Sequence, residues 1–173
     1  MSEPITIPVQ MLFTICFCIC EGEVLMLYRN RPPNQYLWNG LGGKIEAGET
    51  PDQAIKREIK EEAGFDLTEA TTITYAGEVT WEGVEENNKN KGMYCYIAEF
   101  PKNFITWIKK SIAEGELEWK SLEWACDRNN SSIAPNVPAL LPSMLAESKP
   151  KRYNCIFSGS DLKNVIKTDL TQN

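Results

Sequence analysis

Glutamates recur at helical spacing in the first half of the chain. Glu58, Glu61 and Glu62 are three and four residues apart, so on a helix they fall within one arc of about 100°. Like charges at these spacings destabilise a bare helix by about 0.2–0.5 kcal/mol per pair. A divalent cation would remove that cost, and carboxylate oxygens without histidine or thiolate favour Mg²⁺ or Mn²⁺. The alternative is a solvated acidic face interleaved with basic residues.

The residues around these glutamates keep a fixed spacing. The stretch from Gly43 to Phe65 is GKIEAGETPDQAIKREIKEEAGF. It resembles the signature of the Nudix hydrolases: Gly, five residues, Glu, seven residues, Arg-Glu-apolar-x-Glu-Glu-x-Gly-apolar. A chance match at seven exact identities, each about one in fifteen, is very improbable. The fixed places are filled by Gly43, Glu49, Arg57, Glu58, Ile59, Glu61, Glu62, Gly64 and Phe65.

The resemblance implies an enzyme that uses water and a divalent metal to cleave a nucleoside diphosphate linked to another moiety. Metal-bound water becomes a nucleophile near neutral pH, and the metal offsets phosphate charge. Arg57 would orient a glutamate, either Glu49 or Glu58, through a bidentate pair. The metal ligands implied are Glu58, Glu61 and Glu62, with the Gly43 backbone carbonyl.

The residue that takes the proton from water stays open. Members of the family differ, and a glutamate of the motif or one from a distant loop can serve. Glu114 aligns with a downstream acid in the sanitising branch of the family, while Glu82, Glu85 and Glu86 are rivals in a polar loop. The catalytic candidates are Glu49, Arg57, Glu58, Glu61 and Glu114.

Substrate choice must come from residues outside the motif. The run from Leu37 to Lys44 is similar to the segment that precedes the motif in MutT-type and oxidised-purine nucleoside triphosphatases. There an asparagine hydrogen-bonds the base, and Asn39 can do so because an amide both donates and accepts. The alternative is a turn asparagine. The predicted substrate-binding residues are Arg29, Trp38, Asn39 and Asn136.

Asn136 follows from the same resemblance, but here the chain departs from the branch. Animal members have Trp-Pro-Asp-Asp where this chain has Ala134-Pro135-Asn136-Val137. The stacking tryptophan and the acidic base contacts are therefore absent at those places. Asn136 could instead be a helix N-cap. Trp38, Trp81 and Trp124 could offer a stacking surface or belong to the core.

Composition narrows the function further. The chain of 173 residues fits one domain, 1–173, and its net charge of −6 argues against a polymeric nucleic-acid partner. With no histidine, acid–base chemistry must fall to carboxylates, Lys, Tyr or metal-bound water. The six cysteines favour reduced, structural thiols in the cytoplasm. Val9 to Cys20 is apolar but too short to span a bilayer, so we expect no membrane partner.

The predicted elements alternate between strands and helices. Strands are expected at Met11 to Cys20, Glu23 to Arg29, Thr71 to Trp81 and Met93 to Phe100, with a central helix beginning at Thr50-Pro51 and capped by Gly64. The rest is expected to be a strand in Glu114 to Trp124, a helix from Pro135 to Ala146, a linker from Lys149 to Arg152 and a last strand from Tyr153 to Phe157. These elements, and the family resemblance, predict an α/β/α sandwich around a mixed β-sheet.

The function implied is a Mg²⁺-dependent nucleoside triphosphate pyrophosphohydrolase, with oxidised purine nucleotides such as 8-oxo-dGTP as substrate. Two alternatives remain open. One is hydrolysis of another diphosphate, such as ADP-ribose, a nucleotide sugar or a pterin triphosphate. The other is a non-catalytic nucleotide sensor, although such a member would usually have lost motif carboxylates. The sequence does not determine the oligomeric state or the number of metals.

Overall fold

A mixed sheet of ten strands forms the centre of the fold in a computed structural model that describes residues 8–85 and 88–170. Its main path runs β10-β9-β5-β6-β1-β2-β8-β7, while β3 pairs with β2 and β4 pairs with β1. The β1–β6 and β5–β9 pairs are parallel. The strands are β1 (Gln10–Cys20), β2 (Glu23–Arg29), β3 (Trp38–Asn39), β4 (Leu41–Lys44), β5 (Thr72–Glu82), β6 (Lys91–Glu99), β7 (Lys109–Ile112), β8 (Gly115–Ser121), β9 (Lys151–Ser158) and β10 (Asp161–Asp169).

The central helix α1 (Pro51–Ala63) has both of its predicted ends. Thr50 is the N-cap and shares a capping box with Gln53, and proline occupies the first position, where its missing N–H costs nothing. Gly64 ends the helix in the left-handed region at φ 84°, where its N–H donates to the Lys60 carbonyl. These local signals fix where the motif glutamates lie along the helix.

The sheet buries a core on each face because side chains alternate along its strands. On β1, Cys16, Cys18 and Cys20 face α1, while Ile15, Phe17 and Ile19 face the other side. That second core is covered by α3 (Asn136–Ala146), which follows the short helix α2 (Leu122–Ala125). The α/β/α arrangement is therefore confirmed. All six cysteines are free thiols, and five of them are buried.

The C-terminal third differs from the prediction in several places. Asn136 is the first helical residue of α3, and Pro135 is the N-cap without a side-chain cap bond, so the N-cap assignment was wrong. The strand predicted up to Trp124 ends at Ser121, and its last residues form α2. The prediction of a linker from Lys149 to Arg152 was also wrong, since Lys151 and Arg152 begin β9.

The strand β10 was missed because it is an edge strand with few apolar residues. It pairs with β9 alone through a turn at Gly159, which has φ 63°. Polar edge strands lack the alternation on which sequence prediction depends. In the described ranges, 8–85 and 88–170, no helix has the length and apolar character needed to cross a membrane.

Candidate active site

The strand β4 brings two glycines directly under α1. The Gly42 N–H donates to Glu62 Oε2 at 3.1 Å. A Cβ at Gly43 would clash with the Glu58 carboxylate, and one at Gly42 would clash with the Thr14 backbone. Glycine at position 43 therefore leaves room for the Glu58 carboxylate, and glycine at position 42 allows the close approach of β4 to β1.

Arg57 connects the glutamates of the motif. Its Nε lies 3.0 Å from Glu49 Oε2, and its Nη2 lies 2.9 Å from Glu49 Oε1. This two-point pair shows that Glu49 is the bidentate partner, which the sequence had left open between Glu49 and Glu58. Nη1 contacts Glu58 Oε1 at 3.0 Å and Glu61 Oε2 at 3.2 Å, and Nη2 also donates to the Lys44 carbonyl at 3.0 Å.

Glu62 is a buried carboxyl group, with only 5% of the residue exposed. Burial raises its pKa to about 8, and the Glu58 charge adds to the increase, although the Gly42 N–H opposes it. Burial also raises the pKa of Glu58, against the opposing effect of Arg57. Two adjacent carboxyl groups thus resist ionisation as long as only protein charges surround them.

The predicted metal ligands do not converge in the described part of the chain. Within residues 8–85 and 88–170, no three acidic or thiol side chains are close enough together to hold one metal ion. The reason is visible in the contacts: Arg57 lies between Glu58 and Glu61, and Glu62 is hydrogen-bonded to Gly42. Glu61 is the most exposed of the three, with 59% of its side chain accessible.

The donor set nevertheless fits a hard divalent cation. Glu58 and Glu62 offer oxygens from neighbouring turns, and burial raises the pKa of both, which a nearby cation would reverse. Gly43 lies against the Glu58 carboxylate, and its carbonyl accepts a long hydrogen bond from Thr14 Oγ1, at 3.4 Å. Thr14 was not among the predicted site residues, since only the pairing of β1 with β4 brings it there.

Glu114 and Arg29 interact electrostatically with the motif glutamates. The Glu114 charge contributes to the raised pKa values of both Glu58 and Glu62. Burial lowers the pKa of Arg29, while the charges of Glu62 and Glu114 oppose that shift. The two predicted residues therefore lie within electrostatic range of the motif glutamates. Arg31, which was not predicted, forms an ion pair with Glu114 at 2.8 Å.

The rival loop glutamates lie elsewhere. Glu82 ends β5 and lines a cavity of about 560 Å³ with Arg152 and Asn154 of β9. Among the described contacts, none joins Glu82 or Glu85 to the motif glutamates. Glu86 lies outside the described residues.

The predicted substrate-binding residues Trp38 and Asn39 point to opposite faces of the sheet. Trp38 packs against the α3-side core, with its ring 5.2 Å from that of Tyr28. Asn39 is paired in register with Leu27, which belongs to the α1-side core. The Asn39 Oδ1 accepts from the Gly40 N–H at 2.9 Å, so part of this side chain has a local backbone role.

The segment that precedes α3 is joined to β3 by backbone hydrogen bonds. The Trp38 N–H donates to the Ser132 carbonyl and the Ala134 N–H donates to the Trp38 carbonyl, both at 2.9 Å. Half-buried Asn136 follows two residues after Ala134, and no described contact joins its side chain to that of Asn39.

Two of the tryptophans share a lysine that the sequence did not indicate. Lys120 Nζ lies 4.5 Å from the Trp38 ring centre and 4.9 Å from that of Trp124. Trp81 packs against the same core and donates to the Asn88 carbonyl. The three rings are therefore part of the α3-side packing, and Lys120 adds a cation–π contact to it.

Known proteins with similar sequences carry nucleotide hydrolase names. The chain is 35% identical over 75 residues to the zebrafish (Danio rerio) oxidized purine nucleoside triphosphate hydrolase, which covers 43% of this chain and 46% of that protein. It is 38% identical over 58 residues to the 8-oxo-dGTP diphosphatase of Proteus vulgaris, covering 32% of this chain and 52% of the relative. The chain thus spans about half the length of these relatives.

The fold comparison and the family comparison agree. The crystal structure of a mutator MutT protein from Bacillus halodurans superposes with a TM-score of 0.69 at 21% identity, covering 90% of this chain and 95% of the other. At that identity the likeness concerns the fold. The family model described as the NUDIX domain matches residues 12–140, a span that contains the whole glutamate cluster. The chain therefore belongs to the NUDIX domain family.

Proposed function

We propose that this protein is a divalent-metal-dependent nucleoside triphosphate pyrophosphohydrolase whose preferred substrates are oxidised purine deoxynucleotides such as 8-oxo-dGTP. The observation that carries the proposal is the pair of carboxyl groups formed by buried Glu62 and partly buried Glu58, set against the glycine backbone of β4. Burying carboxyl groups side by side is costly for a fold. A cation site for phosphate chemistry gives that arrangement a use.

The chain's own residues would divide the work. Glu58, Glu61, Glu62 and the Gly43 carbonyl would hold Mg²⁺, with Mn²⁺ as a substitute, and Glu61 would have to leave Arg57 to do so. When bound, the metal supplies a water nucleophile near neutral pH and offsets phosphate charge. Arg57 holds Glu49 and Glu58 in place, and Glu114 is our proposed proton acceptor because it lies on the same cluster.

The substrate class is supported by the two relatives and by Asn39. Both relatives are named for oxidised purine triphosphates. Asn39 would bind the base through its amide nitrogen, since its oxygen accepts from Gly40. Asn136 at the start of α3 is the second proposed base contact, and Arg29 is a proposed phosphate contact. The free thiols fit a cytoplasmic enzyme that cleanses the nucleotide pool.

The test is a substrate panel with product analysis. The panel holds 8-oxo-dGTP, 2-oxo-dATP, the normal nucleoside triphosphates, ADP-ribose and a nucleotide sugar, each with Mg²⁺ and with EDTA. We expect pyrophosphate and a monophosphate from the oxidised nucleotides and no turnover in EDTA. Glu62→Gln should abolish turnover, whereas Glu116→Gln, a change of the same kind on β8, should leave it unchanged.

Each other outcome contradicts a named part of the proposal. Activity that survives chelation would contradict the proposed metal dependence. AMP and a sugar phosphate from ADP-ribose, with oxidised nucleotides left intact, would replace the substrate class. Nucleotide binding without any turnover would indicate a sensor instead of an enzyme.

A further inference from the structure

The loop that follows β2 is fastened to the loop that precedes β8. The Asn30 N–H donates to the Glu114 carbonyl at 3.0 Å, and Asn30 Nδ2 donates to the Ala113 carbonyl at 3.0 Å. Arg31 Nη2 then donates to Glu114 Oε1 at 2.8 Å. The backbone contacts already hold the two loops together, so the Arg31–Glu114 ion pair is not needed for that purpose.

This ion pair is exposed and therefore exchangeable. The Arg31 side chain is 57% accessible and the Glu114 side chain 33%. Exposed pairs of this kind contribute little to stability because water screens both charges. A phosphate group carries more negative charge and matches the planar guanidinium with two acceptor oxygens, so it competes well for the same donor.

The other two arginines of the site are more firmly committed. All three nitrogens of Arg57 contact acceptors within the motif and β4. Arg29 donates from Nε to the Pro33 carbonyl at 2.6 Å and is half-buried. In the described ranges 8–85 and 88–170, Arg31 contacts one exposed carboxylate at the rim of the site.

Glu114 interacts electrostatically with two glutamates of the motif as well as with Arg31. Its charge adds to the raised pKa values of Glu58 and Glu62, so it lies within electrostatic range of both. While Arg31 is bound to it, one oxygen of the Glu114 carboxylate is occupied by that hydrogen bond. Release from Arg31 would free that oxygen at the moment when a phosphate has arrived.

We propose that Arg31 is a phosphate-binding residue that Glu114 holds in the substrate-free protein, and that the exchange of Glu114 for a substrate phosphate releases Glu114 toward Glu58 and Glu62. The inference rests on the proposed function for the identity of the phosphate compound. Arg31 thereby couples substrate arrival to the availability of Glu114. No covalent step is involved, because one ion pair replaces another.

The first experiment measures inorganic pyrophosphate binding by calorimetry in EDTA, where no turnover is required. Arg31→Gln should weaken binding about tenfold or more, because it removes charge-assisted hydrogen bonds. Glu114→Gln should tighten binding about two- to fivefold, the range in which exposed ion pairs act. In the double variant Arg31→Gln/Glu114→Gln, that gain should disappear. Glu116→Gln, which removes a nearby charge on β8 whose carboxylate accepts from Ser111, should give no comparable gain.

The results that overturn the proposal are distinct from a failure of the proposed function. Wild-type protein that binds no pyrophosphate, Arg31→Gln that binds it as tightly as wild type, or an equal gain from Glu114→Gln with and without Arg31 would each reject it. None of these depends on which substrate is hydrolysed. Melting temperatures of all variants, expected to lie close to wild type, control for misfolding.

A kinetic readout follows where a hydrolysed substrate is known. Arg31→Gln should raise KM at least about tenfold with a smaller effect on kcat, and Arg31→Lys should recover part of the KM, because it keeps the charge without the planar fork. An equal rise in KM in Arg31→Gln and in Arg128→Gln, an exposed arginine in the turn after α2, would indicate a general charge effect and reject the assignment.

Discussion

At the scale of single residues, Arg57 directs every side-chain nitrogen to a neighbour in or beside the motif. It holds Glu49 with two hydrogen bonds and reaches Glu58, Glu61 and the Lys44 carbonyl as well. These contacts raise the pKa of the guanidinium above its ordinary value, chiefly through Glu49. Its role is therefore geometric as much as electrostatic.

Arg57→Lys keeps the charge and removes this geometry. A lysine is a point charge and cannot bind Glu49 through two parallel bonds while reaching Glu58. We expect kcat to fall about 10²-fold, the size of effect that misplacement of a reacting group by about 1 Å can cause. Steady-state kinetics on the best substrate of the panel measures it, with Arg128→Lys as the control. Unchanged kcat would show that charge alone suffices.

The buried carboxyl of Glu62 makes stability depend on pH. Its pKa in the fold is about 8, above the ordinary value of 4.5, so unfolding releases a proton between these values. The favourable contribution of the neutral form is fully present below about 4.5 and is lost as pH rises through about 8. Alkaline pH should therefore destabilise the metal-free protein through this residue.

Glu62→Gln tests this directly, because an amide cannot ionise. In EDTA, the melting temperature of the variant relative to that of the wild type should increase as pH rises from about 5 to about 8. Each kcal/mol of relative stability corresponds to about 2–4 °C. Saturating Mg²⁺ should reduce the gain, because cation binding stabilises the wild type. Glu116→Gln provides the control. A difference between variant and wild type that is constant with pH would contradict the assigned pKa.

At the scale of elements, α1 has its own start and stop signals. The capping box of Thr50 and Gln53 satisfies two N–H groups at the first turn, and Gly64 closes the last turn. Thr50→Ala should cost about 1 kcal/mol and lower the melting temperature by about 2–4 °C. Its kcat at 25 °C should change far less than that of Arg57→Lys, because the described hydrogen bonds of the Thr50 side chain go to Gln53 and not to a glutamate.

Thermal denaturation compares this variant with Ser131→Ala, an exposed loop serine that caps no helix. An equal melting temperature for Thr50→Ala and wild type would mean that packing of the apolar stripe alone holds the first turn. That stripe is substantial, since Ile55 and Ile59 are almost fully buried against the sheet.

At the scale of the whole molecule, one hydrogen bond joins the start of α1 to the middle of the sheet. The Tyr96 hydroxyl on β6 donates to Asp52 Oδ1 at 2.6 Å. Burial and the Asp52 charge raise the pKa of Tyr96, which keeps it a donor. The bond sets the position of the helix relative to strands that lie far away in sequence.

Tyr96→Phe should destabilise the fold by about 1.5–3 kcal/mol, as expected for a hydrogen bond to a charged group. The double variant Tyr96→Phe/Asp52→Asn should be destabilised by less than the sum of the two single variants, with a coupling of about 1 kcal/mol. Urea denaturation of the four proteins completes the cycle. Tyr75→Phe is the matched control, since its ring lies 5.6 Å from that of Tyr96. Full additivity would show that the two groups do not interact.

The cluster around Arg57 could be predicted in outline from sequence, and its neighbours could not. The spacing of Glu58, Glu61 and Glu62 on a capped helix is a local property, and so was predictable. The Glu49 pairing was one of two predicted options. The contact of Arg31 with Glu114 spans 83 positions, and it exists only because β2 pairs with β8. No local sequence pattern predicts a contact between residues so far apart in the chain.

The sequence by itself determined the motif, its helix, the ends of that helix and the family, because these depend on residues within one short stretch. Only the tertiary structure decided that Glu62 is buried beneath Gly42, that Arg57 separates Glu58 from Glu61 and that Trp38 and Asn39 face opposite ways. The polar edge strand β10 likewise could be recognised only from its pairing with β9. Burial and long-range pairing are properties of the assembled sheet, and they set the charge balance on which the proposed chemistry depends.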